Sequence, residues 1–104
     1  MAHRIVVKRV GQEPVVETRE EISLEVMQEI VGGNIKLLGL PNGIDLWLNE
    51  EGKLIDLYPN VALGQEIIVG DIFFAGSTPQ GDTVGLTGTQ IELALALFYD
   101  PARN

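Results

Sequence analysis

A chain of 104 residues with no cysteine and a formal net charge of −8 is sized for one domain with one core, and it stands without disulfide or thiolate-zinc staples. The missing cysteines exclude a thiol nucleophile and suit a reducing compartment, while the acidity argues against direct nucleic-acid binding, which needs lysine and arginine to displace counterions from phosphates. No apolar run approaches the roughly 20 residues of a membrane span, and Met1-Ala2-His3-Arg4 leads straight into a β-like run, so a cytoplasmic protein without signal peptide or membrane contact is expected.

Residues 4–10 are rich in valine and isoleucine and predict a strand. Gly11-Gln12-Glu13-Pro14 marks a turn, and residues 15–20 return as a more polar strand whose charges suit a sheet edge. Ser23 then caps a helix in which Leu24, Met27, Ile30 and Val31 form an apolar stripe while Glu25, Gln28 and Glu29 face water. Gly32-Gly33 ends it through a left-handed cap.

Residues 35–40 and 44–49 predict two strands joined by Pro41-Asn42-Gly43, where asparagine and glycine accept positive φ. The second of these strands ends in Trp47-Leu48-Asn49-Glu50-Glu51-Gly52-Lys53-Leu54, which reads as the central hairpin of the sheet. A glycine bulge at Gly52 would set Leu48 opposite Leu54 and Trp47 opposite Ile55. A two-residue loop would instead pair Leu48 with Ile55.

After Tyr58-Pro59, Asn60 suits the cap of one short helical turn over residues 61–64. Residues 67–75 carry large apolar side chains on both faces and predict a central strand, or a strand at a subunit interface that allows a homodimer. Residues 76–85 read as a polar loop lacking the lysine and hydroxyl pair of a phosphate-binding loop. Thr87 and Gln90 form a capping box, with Leu86 and Ile91 as its hydrophobic staple. The helix they open carries Ile91, Ala94, Leu95 and Phe98 on its core stripe, flanked by Leu93 and Leu97, and Pro101 stops it.

This order of features resembles a family of small uncharacterised proteins from bacteriophages, plasmids and bacterial genomes, catalogued as a domain of unknown function. The resemblance rests on the first strand, the 24–33 helix ending in Val-Gly-Gly, Asn49-Glu50-Glu51-Gly52-Lys53-Leu54, the Pro59-Asn60 step, Ile68-Val69-Gly70-Asp71 and the 86–98 helix. It implies a compact α+β fold and a prokaryotic or mobile-element setting, and transfers no activity. Trp47 and the 76–85 stretch depart from the family's pattern.

Little catalytic chemistry is visible. His3 is the single histidine and sits at the terminus, which leaves no base for a serine triad and no imidazole pair for a metal. Glu50 and Glu51 sit at an exposed turn tip, where nothing would tune their pKa. Asp71 interrupts an apolar run and must find a donor or a cation; a structural hydrogen bond after Gly70 is the simpler role.

The expected fold is a single α+β domain over residues 1–104, with loose termini at 1–3 and 100–104. It has a largely antiparallel, five- to six-stranded sheet, two main helices and one short helical turn. The leading functional expectation is a non-enzymatic accessory protein engaging a protein partner through an acidic surface that includes Glu50, Glu51 and Asp82, because six of the seven basic residues lie at or before Lys53. The alternative is a small-ligand or nucleotide module with a pocket by the 76–85 loop, and the least favoured is a carboxylate enzyme using Mg²⁺. No resident cofactor is expected, and a pocket is sought beside Trp47, Tyr58, Asn60 and Asp71.

Overall fold

The computed structural model describes residues 2–97. Phe98 and Pro101 lie outside the described residues. Strands β1 (His3–Lys8) and β2 (Val15–Arg19) precede helix α1 (Leu24–Val31), which is followed by β3 (Ile35–Leu40), a 3₁₀ turn (Pro41–Gly43) and β4 (Ile44–Asn49). Then come β5 (Pro59–Leu63), β6 (Glu66–Val69), β7 (Ile72–Ser77), β8 (Thr83–Val84) and helix α2 (Gly88–Ala96). The main sheet runs β2-β1-β7-β4-β3 with β8 paired to β7, while β5 and β6 form a separate two-stranded sheet. Every pairing is antiparallel.

The period-two alternation of the strands sorts their side chains into two cores. Val6, Ile44, Leu46, Ile72 and Phe74 face one side, where the β5–β6 hairpin and α2 cover them through Ile68, Ile91 and Ala94. Ile5, Val7, Phe73 and Ala75 face the other side, where α1 sets Met27 and Val31 upon them. The result is three layers, and β7 has both faces buried because it lies at the sheet's centre. No helix among the described residues is long and apolar enough to cross a membrane.

Local signals formed as their chemistry dictates. Ser23 accepts from the Val26 N–H, and Gly32 closes α1 at φ 77°. Thr87 and Gln90 complete the capping box, with Leu86 and Ile91 both buried above it. Asn42 and Gly43 take the positive φ of the β3–β4 turn. On α1, however, Leu24 is 55% exposed, so the buried stripe is carried by Met27 and Val31.

Four expectations fail where tertiary pairing overrides local pattern. Residues 50–56 form consecutive turns in which the Glu51 carbonyl accepts from both Leu54 and Ile55 N–H groups. No strand can pair there because both edges of β4 are already taken, by β3 and β7. Trp47 therefore lies opposite Leu37 and Phe73 rather than Ile55, and Leu48 opposite Lys36. Leu54 is 83% exposed. Gly52 is needed for room rather than for positive φ: a Cβ there would lie 2.8 Å from Val69 Cγ2.

The supposed helical turn at 61–64 is part of β5, joined to β6 through Gly64 at φ 61°, and the short helical turn is instead Pro41–Gly43. The apolar run at 67–75 is two strands in two different sheets, separated where Gly70 takes φ 78°. Residues 76–85 are not one loop, since Gly76 and Ser77 pair with Val84 and Thr83 of β8.

Candidate functional site

The β1 exit, the β5 entry and the β6–β7 step are tied together by polar side chains. Asn60 Nδ2 donates to the Lys8 carbonyl at 2.8 Å and to the Gly70 carbonyl at 2.7 Å. Its Oδ1 accepts from Lys8 Nζ at 2.8 Å, and the same ammonium donates to the Arg9 carbonyl. Asp71 Oδ1 accepts from the Val10 N–H at 2.9 Å, and the Gly70 N–H donates to the Tyr58 carbonyl. Asn60 is thus a clamp between three backbone segments, not a helix cap, and Asp71 satisfies a backbone donor where the chain leaves one sheet for another.

This knot forms one wall of a cleft of about 350 Å³. Val10, Asp71 and Gly70 line that wall, Leu57 and Tyr58 stand beside it, and Glu29 to Gly32 at the end of α1 close the opposite side. Gly70 is required twice over, because a Cβ would also meet Leu57 Cδ1 at 2.6 Å. Tyr58 is 79% exposed. The cleft therefore combines apolar side chains, an accessible aromatic ring and two carboxylates beside the negative end of a helix dipole with no basic residue in its last turn. That combination attracts a cation carried on an aliphatic stem.

The acidic character continues beyond the cleft. Glu21, Glu25 and Glu29 are exposed on and before α1, and no ion pair is formed by them among the described residues. Gln28 Nε2 donates to Asn34 Oδ1 and Asn34 Nδ2 donates to Glu51 Oε1, which joins the helix to the 50–56 turn. Elsewhere Glu17 and Glu66 are paired with basic side chains. Burial pushes the Glu17 carboxyl up, but hydrogen bonds and charges from Arg19 and Arg9 outweigh it and hold the carboxyl below its usual range. The hydrogen bond and charge of Lys53 lower the Glu66 carboxyl on the exposed surface.

The residues singled out from sequence are partly brought together. Tyr58 and Asp71 line the cleft, and Asn60 holds its wall. Trp47 does not line it; its ring stacks on Phe73 with centroids 6.4 Å apart and 18° between planes, on the α1 side of the sheet. Its indole N–H is buried without a hydrogen-bond partner among the described residues. Glu51 joins the α1 face, Glu50 lines a smaller cleft with Lys36 and Lys53, and Asp82 sits in the β7–β8 hairpin, lining neither of these two clefts. No residue of 76–85 lines either of these two clefts.

Sequence reasoning missed Glu25, Glu29, Val10 and Leu57 as site residues. The two glutamates had a visible signal, since carboxylates four apart on a helix without a neighbouring lysine leave uncompensated charge. Val10 and Leu57 had none, because only the β6–β7 step brings them near Asp71.

A family model described as Domain of unknown function (DUF3846) matches residues 3–99. No curated protein and no solved structure matches the chain.

Proposed function

The chain belongs to the family described as Domain of unknown function (DUF3846), and from that premise we propose that it is a non-enzymatic accessory protein, prokaryotic or phage in origin and cytoplasmic, that holds a basic segment of a protein partner. The supporting observation is the α1 end of the molecule, where Glu29 and Asp71 flank a cleft containing Leu57, Ile30 and the exposed Tyr58 ring. A lysine or arginine stem packs on the apolar lining, its head meets the carboxylates and the ring, and Glu25 and Glu51 extend the field to neighbouring basic residues.

Affinity capture from a bacterial lysate at low and high salt tests this reading. The immobilised chain is expected to retain a defined set of basic proteins at low salt, and a Glu25→Lys, Glu29→Lys, Tyr58→Ala variant of unchanged circular dichroism is expected to lose them. Retention of the same proteins by the variant, or of none by the native chain, would sink the proposal.

A further inference from the structure

The two edges of the main sheet are built differently. The β2 edge carries Glu17, Thr18 and Arg19, with Glu17 held by Arg9 and Arg19, a charged edge of the kind that blocks pairing. The β3 edge has no proline, no bulge in its register with β4 and one charge, Lys36. Leu37 and Leu38 are 48% and 36% exposed upon it.

The hydrogen-bond phase of this edge follows from one contact. The Glu50 N–H donates to the Asn34 carbonyl, so residues 34, 36, 38 and 40 turn their peptide groups toward β4, and Ile35, Leu37 and Gly39 turn theirs outward. We propose that the β3 edge is the seat of a second copy of this chain, paired antiparallel about a two-fold axis at Leu37.

The register fixes how a second copy sits. In an antiparallel pair, opposed residues must share the same hydrogen-bond phase, so a two-fold axis can pass only through a residue position. An axis at Lys36 would oppose like charges, and one at Leu38 would shorten the outward ladder to the Leu37–Gly39 pairs. At Leu37, the outward groups of Ile35, Leu37 and Gly39 all find partners. Ile35 of the second copy then lies over Gly39, where a Cβ would meet nothing within 4 Å, and Leu37 meets its own copy beside Trp47. On the other face, the Lys36 stem lies along Leu38 of the second copy.

Net charge does not oppose the pairing. Helix α1 packs over β3, β4 and β7 and so is centred near β4, which puts the two acidic helices about three strand spacings, roughly 14 Å, from one another. That distance is well beyond one Debye length of about 8 Å at physiological ionic strength, so exposed charges on the two helices are largely screened from each other.

Sedimentation velocity of the full chain from low micromolar to sub-millimolar concentration, with hydrogen exchange on the same samples, tests the proposal. A particle of twice the 11.3 kDa chain mass is expected, with the Leu37 and Gly39 amides slowing as it forms. Leu37→Lys should raise the dissociation constant by about tenfold or more, whereas Val16→Lys on the opposite edge should leave it unchanged. A native chain at monomer mass throughout, a dimer in which the Leu37 and Gly39 amides exchange freely, or protection of those amides only by an unrelated extended peptide would each overturn it.

Discussion

Asn60 ties three chain segments with a single side chain, since one amide spans the ends of β1 and β6 from its place on β5. Removing it would take one donor from each of the Lys8 and Gly70 carbonyls and one acceptor from the Lys8 ammonium. Asn60→Ala is expected to cost about 2–4 kcal/mol, read as a lower urea midpoint, because three hydrogen bonds worth about 1 kcal/mol each are lost with the side chain. Water entering the vacated space and restoring full stability would contradict that role. The sequence placed Asn60 and Asp71 among the residues to watch, since an amide after proline and a carboxylate in an apolar run both demand partners. It could not say which partners, because Lys8 and Val10 lie about 50 to 60 residues away along the chain.

Elements whose instructions are local were legible: the Ser23 cap, the Gly32 stop, the Pro41-Asn42-Gly43 turn and the Thr87–Gln90 box each act within a few residues. Residues 50–56 were misread because their fate depends on β7, which fills the edge of β4 that a local hairpin would have used. Edge strand β2 gives a pH prediction. With its carboxyl depressed in the folded protein, Glu17 stays ionised where the unfolded chain takes up a proton, so its contribution is present above the ordinary glutamate range and is lost as pH falls through the folded value. Native stability should therefore decline below the ordinary value of about 4.3, and Glu17→Gln should flatten part of that decline. Urea midpoints measured across the acid range would show it, and superimposable profiles would deny it. The effect is small because the pair is partly in water and screened.

For the whole molecule, the α+β class and the antiparallel sheet follow from patterns visible in the chain, whereas the three-layer division does not. It depends on Gly70 and Asp71 breaking one apolar run into strands of different sheets, so that β6 covers the face on which Ile72 and Phe74 point. The placement of β7 also has a consequence for how the chain is made. The β1–β2 and β3–β4 hairpins are local and can form early, but they share no ladder until β7 arrives between them, and its pairing of Phe74 with Val6 spans about 70 residues. At a synthesis rate of about 5–20 residues per second, β1 and β4 each hold an open edge for seconds. A chain cut after residue 70 is expected to show no cooperative unfolding transition and to aggregate, as measured by circular dichroism and light scattering; a soluble, cooperatively melting fragment would refute this. Folding speed is thus set by the last third of the chain to emerge, and a pause in translation there prolongs the interval in which two unfinished hairpins can pair with strangers.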